Sequence, residues 1–408
     1  MRAKYRYRAG KAERHVPGTN GLLLGAIVFG TCFASFRFLK FGTSFADFPL
    51  LIAMFAAITS RTDMPYRQAW AGKLKPMMVS LYGYVLVALL PIVSGGGFNR
   101  IQLAKDLFSF AIFPITYMTI SRVVNPERID KVLRIAITAS VVFVSFSVIT
   151  GVGARNAGVL GSPNLGGNWT AGAIILILLI DLPKNPAVRA GLISMLVLAS
   201  INMASLGGIL CTVTALAYWL PRRSKSLTLF KQVLPFLIAV VAPSLLQAFD
   251  TYTGLNRYNR SSQGRLAIWG DAIGTWYEHP LGLGIGNFSD PGLQLSVAPE
   301  AHNDYISSLV EMGVLGPLAI GAICLSIATM GGLRTRTMVV FYLVSAISHN
   351  SINFRHIWVF MAVCFAYDVL PQLQPEFREY EEESTSTLDR SRSRRWRRTN
   401  HKTALATK

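Results

Sequence analysis

Long apolar runs are the feature that most restricts how this chain can fold. About twelve of them come near the ~20 residues that a helix needs to cross a bilayer. In chain order they cover residues 21–36, 45–60, 76–94, 101–120, 133–151, 169–182, 187–202, 207–220, 232–249, 304–330, 337–349 and 355–370. Backbone polar groups in a bilayer find no water, so such runs form helices. The sequence therefore predicts an all-α polytopic membrane protein with about twelve transmembrane helices.

The composition of the 408 residues supports this class and excludes two others. Only 15% of residues are charged, against roughly 25% in soluble domains, and the mean hydropathy is +0.40. Disorder is excluded because 51% of residues are hydrophobic. The net charge of +19 is typical of nucleic-acid binders, but such proteins are not this apolar. We expect membrane lipids as surroundings and no nucleic-acid partner.

Basic residues are divided unevenly between the two sides of the predicted spans. With the N-terminus in the cytoplasm, 31 of the 40 Lys and Arg residues fall in cytoplasmic segments. This is the positive-inside bias of helical membrane proteins. It predicts a basic cytoplasmic N-terminus (1–20), a transmembrane domain (21–370) and a disordered cytoplasmic tail (371–408). Both termini are then cytoplasmic.

The longest stretch between predicted spans, residues 250–303, lies outside the cytoplasm, before the tenth helix. A helix is predicted over 262–278, because apolar residues recur there at spacings of three and four. These are Leu266, Trp269, Ile273, Trp276 and Tyr277. Ser261 or Ser262 is expected to cap this helix, and His279-Pro280 to end it. The loop is therefore expected to be partly helical and ordered.

Several polar residues and glycines of this loop suggest a role for it. Arg265 falls in the first turn of the predicted helix, where the helix dipole disfavours a cation, so a bound anion is a suitable partner. Three glycines, Gly282, Gly284 and Gly286, predict tight turns. They do not follow a strand of a βαβ unit, so they do not indicate a nucleotide site.

His302 and Asn303 stand at the start of the tenth span, which Asn303 or Asp304 can cap. A helix N-terminus disfavours an imidazolium ion, so His302 is expected to stay neutral and to be able to act as a general base. An ordinary polar residue in a loop is the alternative interpretation of His302.

An ordered set of motifs runs through this part of the chain: an Arg followed by Trp, then HP-x-G-x-G, HN-x-Y and E-x-G-x-x-G. The residues are Arg265, Trp269, His279, Pro280, Gly282, Gly284, Gly286, His302, Asn303, Tyr305, Glu311, Gly313 and Gly316. They resemble the O-antigen ligase and polymerase family, and the earlier loop RNAGVLGSPNLGGN (155–168) is similar to a further family element. One departure concerns Ser205, which is followed by Leu206 where the family often has Arg.

The resemblance implies a glycosyltransferase of the bacterial inner membrane. Such enzymes transfer a glycan from a polyprenyl pyrophosphate to a hydroxyl group, on lipid A-core in ligases or on another repeat unit in polymerases. It implies that Arg265 stabilises the pyrophosphate leaving group and that His302 takes the proton of the attacking hydroxyl. Arg155 or Arg260 can substitute for the missing Arg. No metal or other cofactor is expected, because arginines can replace Mg²⁺ as charge stabilisers.

Further candidate substrate-binding residues lie in the outer segments. They are Arg155, Asn164, Arg260, Trp269, Asn303, Tyr305 and His349. Trp269 and Tyr305 offer flat faces for sugar rings, although packing against the bundle is an alternative role. His349 belongs to a polar cluster between the last two spans that can line an acceptor site or form a solvated turn. Its other members are Asn350, Asn353, Arg355 and His356.

A membrane transporter of polysaccharide precursors or small solutes is the main alternative function. Many secondary carriers have twelve spans, but they are built from related halves with broken helices near the midplane. This sequence shows no related halves, and its polar residues gather in one outer loop. The pattern therefore favours glycosyl transfer.

Overall fold

The computed structural model describes residues 64–121, 126–151, 160, 162–203, 205–223, 257–288, 301–349 and 351–369. In chain order its helices are α1 (Met64–Val93), α2 (Arg100–Ser121), α3 (Pro126–Ile149), α4 (Pro163–Ile180), α5 (Pro186–Met203), α6 (Leu206–Arg223), α7 (Arg257–Glu278), α8 (Asp304–Met312), α9 (Leu315–Met330), α10 (Leu333–Ser348) and α11 (355–369). A 3₁₀ turn, Ser351–Asn353, joins α10 to α11. These ranges contain no strand, which confirms the all-α prediction for them.

Four helices in the described ranges are long and apolar enough to cross a membrane. The apolar stretches are Leu74–Val93, Arg100–Ile120, Pro163–Ile180 and Pro186–Met203. They coincide with four of the predicted spans, and the protein is a helical membrane protein. The predicted spans at 21–36, 45–60 and 232–249 and both predicted terminal segments lie outside the described residues. The count of about twelve spans therefore stays a prediction.

Helix α4 lies at the centre of the bundle, and almost all of its residues are buried. It packs against α5, α6 and α10. The ring of Trp169 in α4 contacts that of Phe360 in α11. At the end of the bundle where α10 begins, Asp368 Oδ2 of α11 accepts hydrogen bonds from the backbone N (2.9 Å) and Oγ1 (2.8 Å) of Thr335. These contacts hold the first turn of α10 against α11.

The predicted tenth span, 304–330, is two helices, so the prediction of one continuous helix is wrong. Gly313, with φ at +64°, separates α8 from α9. A Cβ atom added to Gly313 would lie 2.5 Å from the carbonyl oxygen of Pro280, and one on Gly316 would lie 2.3 Å from that of Ser308. Because both positions are glycine, the chain can turn sharply here. Helix α8 then packs against α7, while α9 packs against α1.

Helix α7 is the predicted loop helix, but it starts five residues earlier than predicted, at Arg257. Ser261 and Ser262 therefore lie inside the helix, and the prediction that one of them caps it is wrong. Arg265 lies in the third turn and not in the first. The dipole argument for an anion at Arg265 fails, because the dipole acts within the first turn. The helix ends at Glu278, directly before His279-Pro280, as predicted.

A second, smaller core lies beneath α7. Its members are Ile268, Ala272, Phe288, Ala301 and Val310, with Trp269, Trp276, Leu283 and Ile306 packed around them. The five apolar residues that predicted α7 do not share one environment. Trp269 and Trp276 contact this core, whereas Leu266, Ile273 and Tyr277 are exposed. The core fastens α7 to α8.

The glycine run after α7 forms the predicted tight turn. Gly282, Gly284 and Gly286 have φ angles of +92°, +98° and +78°. Gly284 N donates to the carbonyl oxygen of Glu311 (2.9 Å), while Gly97 N, in the loop between α1 and α2, donates to that of Leu283 (2.8 Å). The turn thus joins the end of α8 to the loop between α1 and α2.

Replacing Gly284 with Ala tests this turn. A Cβ atom there would lie 1.7 Å from the carbonyl oxygen of Gly97, on a backbone that favours glycine. We expect a loss of at least about 2 kcal/mol in stability. The control is Gly274→Ala in α7, where a Cβ meets nothing within 4 Å. That change should be neutral or stabilising by up to about 1 kcal/mol. Thermal unfolding in detergent measures both variants. A Gly284→Ala protein with the same melting temperature as the wild type would contradict the described turn.

Candidate active site

His302 lies in the bend just before α8 and is half-buried. Its φ of +48° is uncommon for a residue with a side chain. Asn303 is the N-cap of α8, which confirms one of the two predicted alternatives. Its Oδ1 accepts hydrogen bonds from the backbone N of Tyr305 (2.9 Å) and of Ile306 (3.1 Å). On the other side, Trp269 Nε1 donates to the carbonyl oxygen of Ala301 (2.9 Å). The backbone is therefore held on both sides of His302.

His349 directly follows α10 and is buried, and Ser348 Oγ lies 2.7 Å from its Nδ1 in a hydrogen bond. Burial, then the positive charge of Arg265, and then the electrostatic influence of His302 lower the pKa of His349 to about 3. Helix α8, which follows His302, packs against α7 and α10, so the three segments that carry Arg265, His302 and His349 adjoin one another. His349 is neutral at physiological pH because its pKa is so low.

The carboxyl group of Asp304 joins the two histidine-bearing segments. Its Oδ2 accepts hydrogen bonds from the backbone N of Ser351 (2.8 Å) and of Ile352 (3.0 Å). Asp304 stands two residues after His302, and Ser351 stands two residues after His349. A second link runs from Tyr305 OH to the carbonyl oxygen of Leu343 in α10 (2.9 Å). This role of Asp304 is not predicted by the sequence, in which the residue stands as a possible helix cap.

A chain of buried polar side chains continues from Ser351 into the bundle. Ser351 Oγ is hydrogen-bonded to Ser345 Oγ of α10, which accepts from Asn168 Nδ2 of α4. Asn168 Oδ1 lies 3.1 Å from His356 Nε2, and since an amide oxygen only accepts, Nε2 carries the proton. His356 is fully buried in α11. The prediction that it lies in an outer loop, in a solvated turn or at an acceptor site, is therefore wrong.

The start of α6 packs closely against the end of α10 and against α4. A Cβ atom on Gly207 would lie 2.5 Å from Cε1 of His349, and one on Gly167 would lie 2.2 Å from Oγ of Ser205. Ser205 Oγ itself accepts from the backbone N of Gly208 (3.3 Å). This is the place where the resembled family often has Ser followed by Arg. In this chain the small residues Ser205 and Gly207 lie at this place, and Gly207 allows His349 to pack against α6.

The described candidates fall into two groups. Around α7, α8 and the end of α10 the structure gathers Arg265, Trp269, His302, Asn303, Tyr305 and His349. Asn164 lies apart from these contacts, half-buried in the first turn of α4. Arg155, Asn350 and the side chain of Arg260 lie outside the described residues. The roles of all these residues in catalysis and binding stay predictions.

The comparison with protein families agrees with this site. Residues 166–321 match the family model described as O-antigen ligase. The match covers less than half of the chain but includes Arg265, the glycine turn and the HN-x-Y motif at His302. The predicted resemblance to the O-antigen ligase superfamily is confirmed over residues 166–321. No curated protein matches this chain in sequence.

Removing the carboxyl group of Asp304 tests whether it holds the two segments together. Asp304→Ala leaves the buried N–H groups of Ser351 and Ile352 without an acceptor, at a cost of about 1–3 kcal/mol each. We expect a lower melting temperature and faster reaction of His349 with diethyl pyrocarbonate, located by mass spectrometry. In the wild type, burial protects His349.

Asp368→Ala is the matched control, because it removes a similar contact with a backbone N–H, that of Thr335. Thr335 is about 20 Å from the His349 end of α10, at 1.5 Å per residue. The control should lose stability while His349 stays protected. If His349 stays equally protected in Asp304→Ala, the carboxyl group does not hold this segment.

Proposed function

We propose that the protein transfers a glycan from a polyprenyl-pyrophosphate carrier to a sugar hydroxyl, at the outer face of a bacterial inner membrane. The observation that carries the proposal is the packing of α8 against both α7 and α10, which brings together the segments that carry Arg265, His302 and His349. The match of residues 166–321 to the O-antigen ligase family supports it, because it includes both residues.

The proposed reaction divides the chemistry between these two residues. The hydroxyl oxygen of the acceptor forms a bond with the anomeric carbon of the donor sugar, while the bond from that carbon to the pyrophosphate oxygen breaks. His302 takes the hydroxyl proton and later releases it to water. The electron pair of the broken bond leaves with the polyprenyl pyrophosphate, whose charge the planar guanidinium of Arg265 stabilises. Attack opposite the leaving group inverts the configuration at this carbon.

Two histidines lie in the segments that adjoin α8, and the burial of His349 argues against it as the base. A general base must hold the proton that it takes, and this requires a pKa near the working pH. The pKa of His349 is about 3, so its imidazole holds a proton poorly at neutral pH. We assign His349 to binding, as a neutral hydrogen-bonding group for a sugar hydroxyl. Trp269 and Tyr305 contribute through the contacts that hold His302 in place.

Single substitutions test the two assignments. His302→Ala should lower the rate of transfer about 10²–10⁴-fold, as expected for a lost general base. Arg265→Ala should lower it about 10²–10³-fold, as expected for a lost charge stabiliser. Transfer is measured in membranes with a lipid-linked glycan, after an immunoblot has verified insertion. The control is Arg189→Ala, because Arg189 pairs with Asp181 at the end of α4 remote from the site. If the two site variants insert normally and keep the wild-type rate, the assignment is wrong.

The reaction should proceed without a divalent cation. In the proposed chemistry, Arg265 supplies the positive charge that Mg²⁺ supplies in many phosphate-transfer enzymes. Transfer in membranes treated with EDTA should therefore equal that in untreated membranes. Loss of transfer on chelation, restored by Mg²⁺, would show that a metal ion takes part.

The acceptor can be identified in a strain that lacks the protein, by gel analysis of its surface polysaccharide. A ligase transfers the glycan to lipid A-core, so its loss leaves free lipid A-core beside long polyprenyl-linked polymer. A polymerase extends the glycan itself, so its loss leaves products with a single repeat. Complementation with His302→Ala should leave either defect unrepaired.

A further inference from the structure

Helix α7 has an exposed apolar edge. Leu266, Ile273 and Tyr277 follow one another at spacings of seven and four, which places them within about 40° of one line along the helix. Their exposed fractions are 61%, 37% and 72%. The buried face of the helix, with Ile268 and Ala272, points into the second core. A helix that only covers a core would carry polar residues along its other sides.

The polar residues of α7 lie on a third side. Asp271 and Glu278 are exposed and are seven residues apart, so they share one face, about 120–140° from the apolar edge. The helix thus has one side toward the protein, one apolar side and one polar side. This division suits a helix that lies at a boundary between water and an apolar medium.

The apolar edge continues toward α9 through Leu281, which follows α7, and Val314, which precedes α9. Leu281 and Val314 are both exposed. Leu281 lies against the residue that precedes Val314, because a Cβ on Gly313 would lie 3.3 Å from Cα of Leu281. Helix α9 then exposes Leu318 and Leu325, which are seven residues apart and so share one side of the helix.

The exposed leucine face of α9 identifies what covers this surface. Helix α9 has no charged residue among its sixteen and belongs to a helical membrane protein. Its exposed leucines therefore face lipid chains. The edge of α7 extends the same surface beyond the N-terminal end of α9.

We propose that α7 is an interfacial helix whose apolar edge lies in the outer leaflet of the membrane. Leu266, Ile273, Tyr277 and Leu281 contact lipid at the boundary between headgroups and acyl chains, and Asp271 and Glu278 face water. Interfacial helices bury their apolar side by about 5–10 Å in this region. Arg265 precedes Leu266 and is therefore held near the headgroup phosphates. Only this last consequence rests on the proposed function.

Spin labels on the two sides of α7 test the membrane contact. Single cysteines replace Tyr277 and its neighbour Glu278 in the full chain, reconstituted in liposomes. Cys32 is changed to Ser, while Cys211, Cys324 and Cys364 are buried. At Tyr277 we expect the nitroxide to collide several-fold more with oxygen, which partitions into lipid, than with a water-soluble nickel chelate. At Glu278 the preference should be reversed.

A second pair, Ile273→Cys and Asp271→Cys, repeats the comparison one turn away. Equal access of the nickel chelate to both sides would show that the edge faces water. Low access of both reagents at Tyr277 and Ile273 would show that protein, such as a second copy of the chain, covers the edge. Either result overturns the proposal. The measurement needs no turnover, so it can fail or succeed independently of the transfer experiments with His302 and Arg265.

Discussion

Two hydrogen bonds from backbone N–H groups to the carboxyl group of Asp304 join the segments that carry His302 and His349. The bonds are buried, where an unsatisfied polar group costs more than a satisfied one gains. The chain of Ser351, Ser345 and Asn168 extends this polar contact to α4. Because each member restricts the next, the network favours one arrangement of α4, α8 and α10. The outer site is therefore supported from within the bundle and does not depend on its loop alone.

The break at Gly313 makes this arrangement possible. Nine residues of helix span only about 13 Å, so α8 is a short support and not a membrane span. It contacts α7 on one side and α10 on the other. A continuous helix through Gly313 would direct this segment along α9 and away from α7. The hydrogen bond from Trp269 to Ala301, which holds the helix of Arg265 against this segment, would then be lost.

Local signals in the sequence predicted local structure well. The end of α7 at His279-Pro280, the cap at Asn303 and the glycine turn each depend on residues within a few positions, and the structure contains all three. The start of α7 was not predictable in this way. Serine is favoured at helix N-caps, so two serines inside the helix resembled caps. The helix break at Gly313 was also not predictable, because a single glycine is compatible with a continuous apolar helix.

The missed site residues have distant partners. Asp304 binds backbone groups 47 and 48 positions away, and the amide of Asn168 binds a histidine 188 positions away. No periodicity or spacing in one sequence records such pairs. His356 illustrates the opposite error: its polar side chain suggested an outer loop, but a single amide partner satisfies it inside the bundle. A polar residue beside an apolar run predicts exposure only when no buried partner is available.

The packing at the start of α6 explains why the position of α7 matters. Gly207 leaves room for the ring of His349, and Leu206 supplies no charge where the resembled family often has Arg. The positive charge that acts on His349 comes instead from Arg265 on α7. In the proposed membrane placement, the lipid holds the apolar edge of α7 while the second core holds its inner face. A displacement of α7 from the membrane would then carry Arg265 away from the phosphate level, although His302 and His349 would keep their places before α8 and after α10.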